Sequence, residues 1–115
     1  MKKALRIRKN EEFKAIISSR HSVASKDFII YWHPKKEDFS RIGISVSKKL
    51  GKAHVRNKIK RQLRMMLQEV VDFTNDHNDY IVIVRQAYLK QSFADNKNDL
   101  ENTIKKVKIR ENVKR

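Results

Sequence analysis

Hydrophobic residues recur at helical intervals near the start of the chain and predict its first helix. Phe13, Ile16 and Ile17 lie three and four residues apart, so a helix from about Glu11 to Ser19 would have one apolar face. Asn10 stands directly before this segment, where its side chain is expected to cap the helix. The acidic residues of the first turn suit the positive end of the helix dipole.

The next part of the chain has the shorter apolar stretches that are typical of strands. The aromatic and β-branched run Phe28–Trp32 predicts a strand, which Pro34 is expected to end. Ile42–Ser47 alternates isoleucine and valine with glycine and serine, which predicts a second strand. His21–Ala24 is a candidate for a further short strand, and Lys35–Ser40 is expected to form the charged turn between the two main strands.

The second half of the chain predicts two helices on either side of a strand. Ala53–Phe73 contains no glycine or proline and is expected to form the longest helix. Thr74–Asp79 is polar and predicts a turn, and Tyr80–Val84 is an apolar run of strand length. The apolar residues of the long helix are Val55, Ile59, Leu63, Met66, Leu67 and Val70. Those of a final amphipathic helix are Leu100, Ile104, Val107 and Val113.

This order of elements indicates an α+β domain of two layers, in which the helices cover one side of the sheet. A length of 115 residues suits a single domain, expected to span residues 1–115, with a basic tail from about Arg110 as a candidate for disorder. Hydrophobic residues make up 39% of the chain and charged residues 36%, so we expect a modest core.

The net charge points to a polyanionic partner. The chain has 28 Lys and Arg residues against 13 Asp and Glu, which gives a formal charge of +15. Among polyanions an anionic membrane is the weakest candidate, because Phe28–Trp32 and Tyr80–Val84 are far shorter than the roughly 20 residues of a spanning helix. Acidic residues follow the basic start of the chain, where a signal peptide would be apolar. The chain also contains no cysteine, and we expect a cytoplasmic protein.

The densest basic segment coincides with the predicted long helix. Each residue advances about 100° around a helix, so the apolar residues fall in one arc and most of the basic residues in the adjoining arc. Such a run is often only a solvated face, but a solvated face normally mixes both signs of charge, and no acidic residue lies between Asp38 and Glu69. We therefore favour a nucleic-acid-binding face. It contains Arg56, Asn57, Lys60, Arg61 and Arg64, and Lys48, Lys49 and Lys52 extend it beyond the helix start.

Other chemistry-bearing residues do not form a recognisable catalytic or metal site. The four histidines are scattered and are expected to lie at the surface: His21, His33, His54 and His77. Asp72, Asp76 and Asp79 straddle a helix end and a turn, where aspartate is favoured for capping and turn formation. Ser45 and Ser47 have no evident base beside them. We expect no catalytic residue and no metal site in the protein itself.

An ordered set of motifs resembles the bacterial ribonuclease P protein family. The segment RNKIKRQLR, from Arg56 to Arg64, follows SVSKKLGKAHVRN in the manner of that family's signature. RIRKNEEF, HSVASKDFIIYW, RIGISVSKK and DYIVIVRQ then fall in the family's order, so the resemblance covers nearly the whole chain.

The resemblance implies an αβββαβα domain. Its second helix would connect two parallel strands by a left-handed crossover, whereas such crossovers are generally right-handed. It also implies that an RNA subunit, with Mg²⁺ held mainly by that RNA, removes the 5′ leader of precursor tRNA, and that the protein assists without an obligate protein partner. Phe13 and Tyr31 correspond to aromatic residues that hold the single-stranded leader. The positions that correspond to RNA-facing residues are Arg56, Asn57, Lys58, Lys60, Arg61 and Arg64.

Several interpretations remain open from the residues alone. Phe13 and Tyr31 both lie in apolar stretches and could equally be core residues, and Trp32 is expected in the core or partly exposed at the surface. Lys58 stands where the family motif often has arginine, so it keeps the positive charge but lacks the planar guanidinium group that can form two hydrogen bonds. Ile17 stands where the family often has an aromatic residue, so the leader-binding site would stack one base fewer. The alternatives in function are a structural RNA-binding protein of the ribosomal type and, ranked last, a DNA-binding helix module.

Overall fold

The structure is a computed structural model, and it describes residues 1–113. Within these residues it contains three α-helices and four β-strands, together with 3₁₀ helices at Lys3–Leu5, Lys48–Leu50 and Gln86–Lys90. None of the helices in this part of the chain is long and apolar enough to cross a membrane. The elements are α1 (Asn10–Ser18), β1 (Ser22–Ala24), β2 (Phe28–Pro34), β3 (Ile42–Ser45), α2 (Ala53–Val70), β4 (Asn78–Val84) and α3 (Phe93–Val113).

The four strands form one mixed sheet in the order β1-β2-β4-β3. β1 pairs antiparallel with β2, and β2 pairs antiparallel with β4. β3 lies parallel to β4, and α2 connects these two neighbouring strands. The predicted α+β class with a four-stranded sheet is confirmed, and so is the short strand predicted near His21–Ala24. The left-handed sense of the crossover stays a prediction from the resemblance.

Side chains of β4 alternate between the two faces of the sheet and supply both cores. Tyr80 and Val82 pack with α2 and α3 in the larger hydrophobic cluster, while Ile81 belongs to a smaller cluster with Ile16 of α1. The helices α2 and α3 therefore cover one face, as the two-layer arrangement requires. The short helix α1 departs from that expectation, because it packs on the opposite face of β2 and β4.

Several predicted boundaries move because side chains near them have other partners. Asn10 is the first residue of α1 and not its cap; the cap position is taken by Lys9, whose side chain makes no capping hydrogen bond. α2 ends at Val70 because Val71 turns into the core with extended backbone. α3 begins at Phe93, earlier than its apolar spacing shows, and it reaches Val113. Of the predicted basic tail, only residues 114–115 lie outside the described residues.

The three aspartates near the end of α2 have structural contacts. Asp72 Oδ1 accepts hydrogen bonds from the backbone N–H groups of Thr74 (3.1 Å) and Asn75 (3.2 Å), which confirms the first part of the predicted turn. Asp76 Oδ1 accepts a hydrogen bond from the buried hydroxyl of Tyr80 at 2.8 Å. Asp79 is buried in β4, which begins two residues before the predicted strand because Asn78 and Asp79 pair with the end of β2.

A pair of carboxyl groups, Asp27 and Asp99, joins the β1–β2 turn to α3. Asp27 is fully buried, and its backbone N–H donates to Asp99 Oδ2 at 2.9 Å. Gln91 Nε2 donates to Asp27 Oδ1 at 2.7 Å, whereas Asp27 Oδ2 has no partner among the described residues. Burial, and then the neighbouring Asp99 carboxylate, raise the pKa of Asp27 from 3.8 to about 6; the charge of Lys26 opposes this shift and that of Asp95 adds to it.

The raised pKa of Asp27 makes folding stability depend on pH. The protonated carboxyl is favoured in the folded state, so its contribution is complete below pH 3.8 and is lost as the pH rises through about 6. Asp27→Asn is isosteric and cannot ionise. We expect the stability of the wild type, relative to this variant, to fall by about 2 to 3 kcal/mol between pH 4 and 7, as urea unfolding at several pH values would measure. Parallel stability profiles for the two proteins would contradict the assignment.

Candidate RNA-binding surface

The long helix buries one flank and exposes basic residues on the adjoining one, as its sequence predicts. Ile59, Leu63 and Met66 lie in the core, and the exposed residues next to them include Asn57 and Arg61. Acidic residues are absent from the first turn of α2, where they would suit the helix dipole. This flank faces the side of the molecule on which the N-terminal segment and β3 meet.

A cleft of about 300 Å³ lies between the N-terminal segment, α1, β3 and α2. Phe13 of α1 and Ile42 and Ile44 of β3 supply its apolar wall. Among the residues that the structure describes, four cationic side chains line the same space and no carboxylate does. The cations are Arg6, Arg8, Lys60 and Arg64.

Arg6 and Arg8 reach the cleft because the N-terminal segment runs along the free edge of β3. The backbone N–H of Ile7 donates to the carbonyl of Ile42 at 2.9 Å, and Arg6 forms a parallel bridge with Ile42. Ile7 is buried, so the arginines on either side of it point away from the core. Sequence reasoning missed these two residues as site residues. The alternation of basic and apolar residues in RIR was the available signal.

The cleft holds positive charge that the described residues do not neutralise. Arg6 Nη2 donates to the carbonyl of Met1 at 2.9 Å, but the buried Nε atoms of Arg6 and Arg64 have no hydrogen-bond partner among residues 1–113. Burial, and then the charge of Arg6, lower the pKa of Arg64. An anion between the two guanidinium groups would relieve both the repulsion and the missing hydrogen bonds.

Phe13 is held in the cleft by close packing against the sheet. Gly43 makes this possible, because a Cβ atom there would lie 2.6 Å from both Phe13 Cζ and Ile81 Cδ1. Tyr31 belongs to the same apolar cluster as Phe13 but does not line this cleft. Both aromatic residues are half-buried. Each therefore packs against the sheet and keeps part of its ring exposed.

Trp32 points to the other face of β2, as the strand alternation predicts. It is 4% exposed and belongs to the larger core, so of the two expected positions, core or partly exposed surface, the core is the one that it occupies. The ring of His21 stacks on it with centroids 5.5 Å apart. His21 is half-buried by this contact, so the prediction that every histidine lies at the surface is wrong for this residue. The other three histidines are exposed.

The remaining predicted cations are not all brought to the cleft. Lys48 and Lys49 are exposed in the 3₁₀ helix that precedes α2. Ser47 caps this 3₁₀ helix, because its Oγ accepts a hydrogen bond from the backbone N–H of Lys49 at 3.2 Å. Lys52 is exposed at the start of α2, and Arg56 Nε donates to the carbonyl of Gly51 at 3.2 Å. These residues extend the basic surface from one end of α2.

Lys58 lies on a different flank of α2 from the cleft. Residues two positions apart on a helix are separated by about 200°, so Lys58 and Lys60 face apart. Lys58 lines a groove formed with the Gln86–Lys90 helix and the start of α3. The structure therefore separates this member of the basic motif from Lys60 and Arg64.

A partly buried ion cluster fixes α1 to the sheet. Arg41 Nη2 donates to Glu12 Oε2 of α1 at 2.6 Å and to Asp79 Oδ2 of β4 at 3.1 Å. Asp79 Oδ1 also accepts the backbone N–H of Arg41 at 2.9 Å. The hydrogen bond from Arg41 is the main cause that lowers the pKa of Glu12. Since Phe13 follows Glu12 directly, the cluster holds the aromatic wall of the cleft in place.

Comparisons with known proteins identify the family of this chain. The family model described as Ribonuclease P matches residues 1–108. The ribonuclease P protein component of Geobacillus kaustophilus is 43% identical over 107 residues, which cover 92% of this chain and 88% of the relative. That of Halalkalibacterium halodurans is 39% identical over 110 residues, covering 95% and 92%.

Solved structures show the same fold. The structure of a Staphylococcus aureus RNase P protein mutant with defective mRNA degradation activity matches with a TM-score of 0.83 at 43% identity, covering 92% of this chain and 90% of that one. The RNase P protein from Thermotoga maritima matches with a TM-score of 0.73 at 29% identity, covering 84% and 92%. The family model, the sequence relatives and the fold agree, and the chain belongs to the ribonuclease P protein family.

Proposed function

We propose that this chain, as a protein component of ribonuclease P, binds the RNA subunit along α2 and the 5′ leader of precursor tRNA in and beside the cleft. The observation that carries the proposal is the joining of an aromatic ring, Phe13, with two unneutralised arginines, Arg6 and Arg64, in one cleft. Single-stranded nucleic acids are bound by aromatic platforms inside positively charged grooves. If the cleft were only part of the core or of an ordinary solvated surface, neither its aromatic wall nor its two neighbouring arginine charges would be required.

The exposed flank of α2 suits the phosphates of a folded RNA. Its cations lie one helical turn apart, without acidic residues between them. A helical RNA is contacted mainly through its phosphates and 2′-hydroxyl groups, so a rigid row of cations can fix its position. The residues proposed for this contact are Arg56, Asn57, Lys60 and Arg61, together with Lys48, Lys49 and Lys52.

The leader is proposed to follow the apolar wall from the cleft onto the smaller cluster of the sheet. Phe13 would stack on one base, and Tyr31, which is half-buried on the same face, would contact the next part of the strand. Arg6 and Arg64 would neutralise a phosphate between them. Ile17 lies in the same cluster, and it offers apolar contact but no ring to stack on.

The chemistry is proposed to reside in the RNA subunit, with Mg²⁺ held mainly by that RNA. Among residues 1–113, no group of three or more His, Cys, Asp or Glu side chains is placed to hold a metal ion. Asp76 and Asp79 instead accept hydrogen bonds from Tyr80 and Arg41. The protein then contributes binding energy and orientation. We place the complex in the cytoplasm, with precursor tRNA as its substrate and without an obligate protein partner.

Reconstitution with a bacterial ribonuclease P RNA and labelled precursor tRNA tests the proposal. We expect no cleavage by the protein alone, cleavage by the RNA alone at high Mg²⁺, and cleavage by the two together at low Mg²⁺. Cleavage by highly purified protein without RNA, abolished by changing Asp76 or Asp79, would overturn the assignment of the chemistry to RNA.

The salt dependence of precursor tRNA binding tests the arginine pair in the cleft. The double variant Arg6→Ala, Arg64→Ala should weaken precursor binding and reduce the log-log salt slope by about 0.7 to 0.9 for each phosphate that the protein no longer neutralises. Lys105 and Lys106 are exposed on α3, so the double variant Lys105→Ala, Lys106→Ala removes the same charge; it is the matched control and should change the slope much less. An equal change in both variants would show a general charge effect and no site in the cleft.

A further inference from the structure

A second recess lies on the flank of α2 that carries Lys58. It is a groove of about 370 Å³ between α2, the 3₁₀ helix Gln86–Lys90 and the first turn of α3. This volume falls in the range of small-ligand sites, roughly 300 to 1,000 Å³. The cleft that contains Lys60 and Arg64 lies on a different flank of the same helix. The two recesses share no lining residue.

The groove contains exposed apolar side chains that the fold does not explain. Phe93 is 42% exposed and Leu89 is 49% exposed, and both line the groove. They are two of the four large hydrophobic residues that the described part of the chain exposes. Apolar side chains gathered at a concave site mark binding surfaces more often than single exposed ones do.

The floor of the groove is packed and hydrogen-bonded. Tyr88 is 3% exposed, and its hydroxyl donates to Gln62 Oε1 of α2 at 2.8 Å. Asn96 of α3 is also buried and donates from Nδ2 to the carbonyl of Tyr88 at 3.1 Å. These contacts tie the three elements together, so the recess is formed before anything binds in it.

The charge around the groove selects its occupant. Lys58 and His54 line it from α2, and no carboxylate is among its lining residues. Lys58 makes no ion pair with the described residues. An acidic partner that also has a flat apolar face would complement both features. An unpaired nucleotide has this combination, because its base can stack on an aromatic ring while its phosphate meets a cation.

We propose that this groove holds an unpaired nucleotide of the RNA subunit, with the base against Phe93 and Leu89 and the phosphate beside Lys58. The inference rests on the proposed binding of the RNA subunit along α2. The leader is assigned to the cleft, which the body of α2 separates from the groove. The RNA subunit, which is proposed to lie along α2, is therefore the RNA that we expect on this flank. Lys58 then has a role distinct from that of Lys60 and Arg64.

Replacing Phe93 tests the stacking contact. Phe93→Ala should weaken binding of a bacterial ribonuclease P RNA transcript by about 5- to 100-fold in filter binding at fixed salt, and Phe93→Trp should retain the affinity. Ile109 is 62% exposed on the same helix, and Ile109→Ala is the matched control that should change the affinity less than about 2-fold. Urea unfolding should give similar stabilities for all three variants, because neither side chain belongs to the core.

A photo-crosslinker at position 93 identifies the occupant directly. With p-benzoylphenylalanine there, we expect a crosslink to a single-stranded nucleotide of the RNA subunit. The ratio of precursor to mature tRNA affinity should be the same in Phe93→Ala and the wild type. Crosslinks to the leader or to another protein would overturn the proposal, and so would unchanged RNA affinity in Phe93→Ala. If the wild type itself failed to bind the transcript, the proposed function would fail as well, which is a separate and visible result.

Discussion

Replacing Arg41 by methionine should destabilise the protein by about 3 to 5 kcal/mol, because it leaves two carboxylates without their shared cation. Arg41 contacts both Glu12 and Asp79, and the side chain of Asp79 is only 3% exposed. Methionine keeps much of the side-chain volume, so the loss would come from charge and not from a cavity. Urea unfolding at neutral pH measures this difference in the free energy of unfolding.

A compensated variant separates the ion cluster from other effects of the substitution. Combining Arg41→Met with Glu12→Gln and Asp79→Asn removes the unpaired charges and should recover a large part of the lost stability. The pKa of Glu12 is lowered in the wild type, so its contribution is present at neutral pH and is lost as the pH falls through the lowered value. The acid branch of the stability profile should accordingly flatten in Arg41→Met. A loss below about 1 kcal/mol would show that solvent screens the cluster.

Truncating the two aromatic residues on the α1 side of the sheet should give different results for Tyr31 and Phe13. Tyr31→Ala should cost on the order of 1 to 3 kcal/mol in binding precursor tRNA, while the affinity for mature tRNA, which has no leader, hardly changes. Phe13→Ala should show the same leader-specific loss together with a loss of folding stability, since its ring packs directly over Gly43.

Trp32 provides the matched control for these two substitutions. It neighbours Tyr31 in β2 but is buried in the larger core, so Trp32→Ala should cost about 3 to 5 kcal/mol of folding stability. It should also weaken precursor and mature tRNA alike. Binding of both RNAs, measured alongside urea unfolding, separates the two patterns. Equal losses for both RNAs in Tyr31→Ala would remove Tyr31 from the leader site.

The periodicity of the sequence was sufficient to predict the order of the helices and strands and the buried flank of α2. Apolar spacing located the core residues Ile59, Leu63 and Met66, because burial on a helix repeats with its turn. It could not locate the ends of elements, which depend on contacts distant in sequence. Asp79, for example, joins β4 because it pairs with His33 of β2, and Arg41 binds its carboxylate.

The candidate site was predicted only in part, since a cleft is a property of several segments. The basic motif pointed to Lys60 and Arg64 but not to Arg6, which reaches them through the pairing of Ile7 with Ile42. The motif also grouped Lys58 with the others, although the geometry of the helix turns it away. A linear spacing shows which residues share a helix face, whereas the neighbours of that face are set by the tertiary structure.

The place of β4 in the sheet also has a consequence for synthesis of the chain. β4 lies between β2 and β3, yet it is the last strand to leave the ribosome. Until residues 78–84 emerge, β3 has no neighbouring strand except the bridge to the N-terminal segment, and β2 is paired only with the short β1. Three strands thus assemble in one late event that closes long loops, which favours slow folding. During that interval no completed sheet covers the apolar flank of α2, while the basic residues of the same helix are already present in the nascent chain.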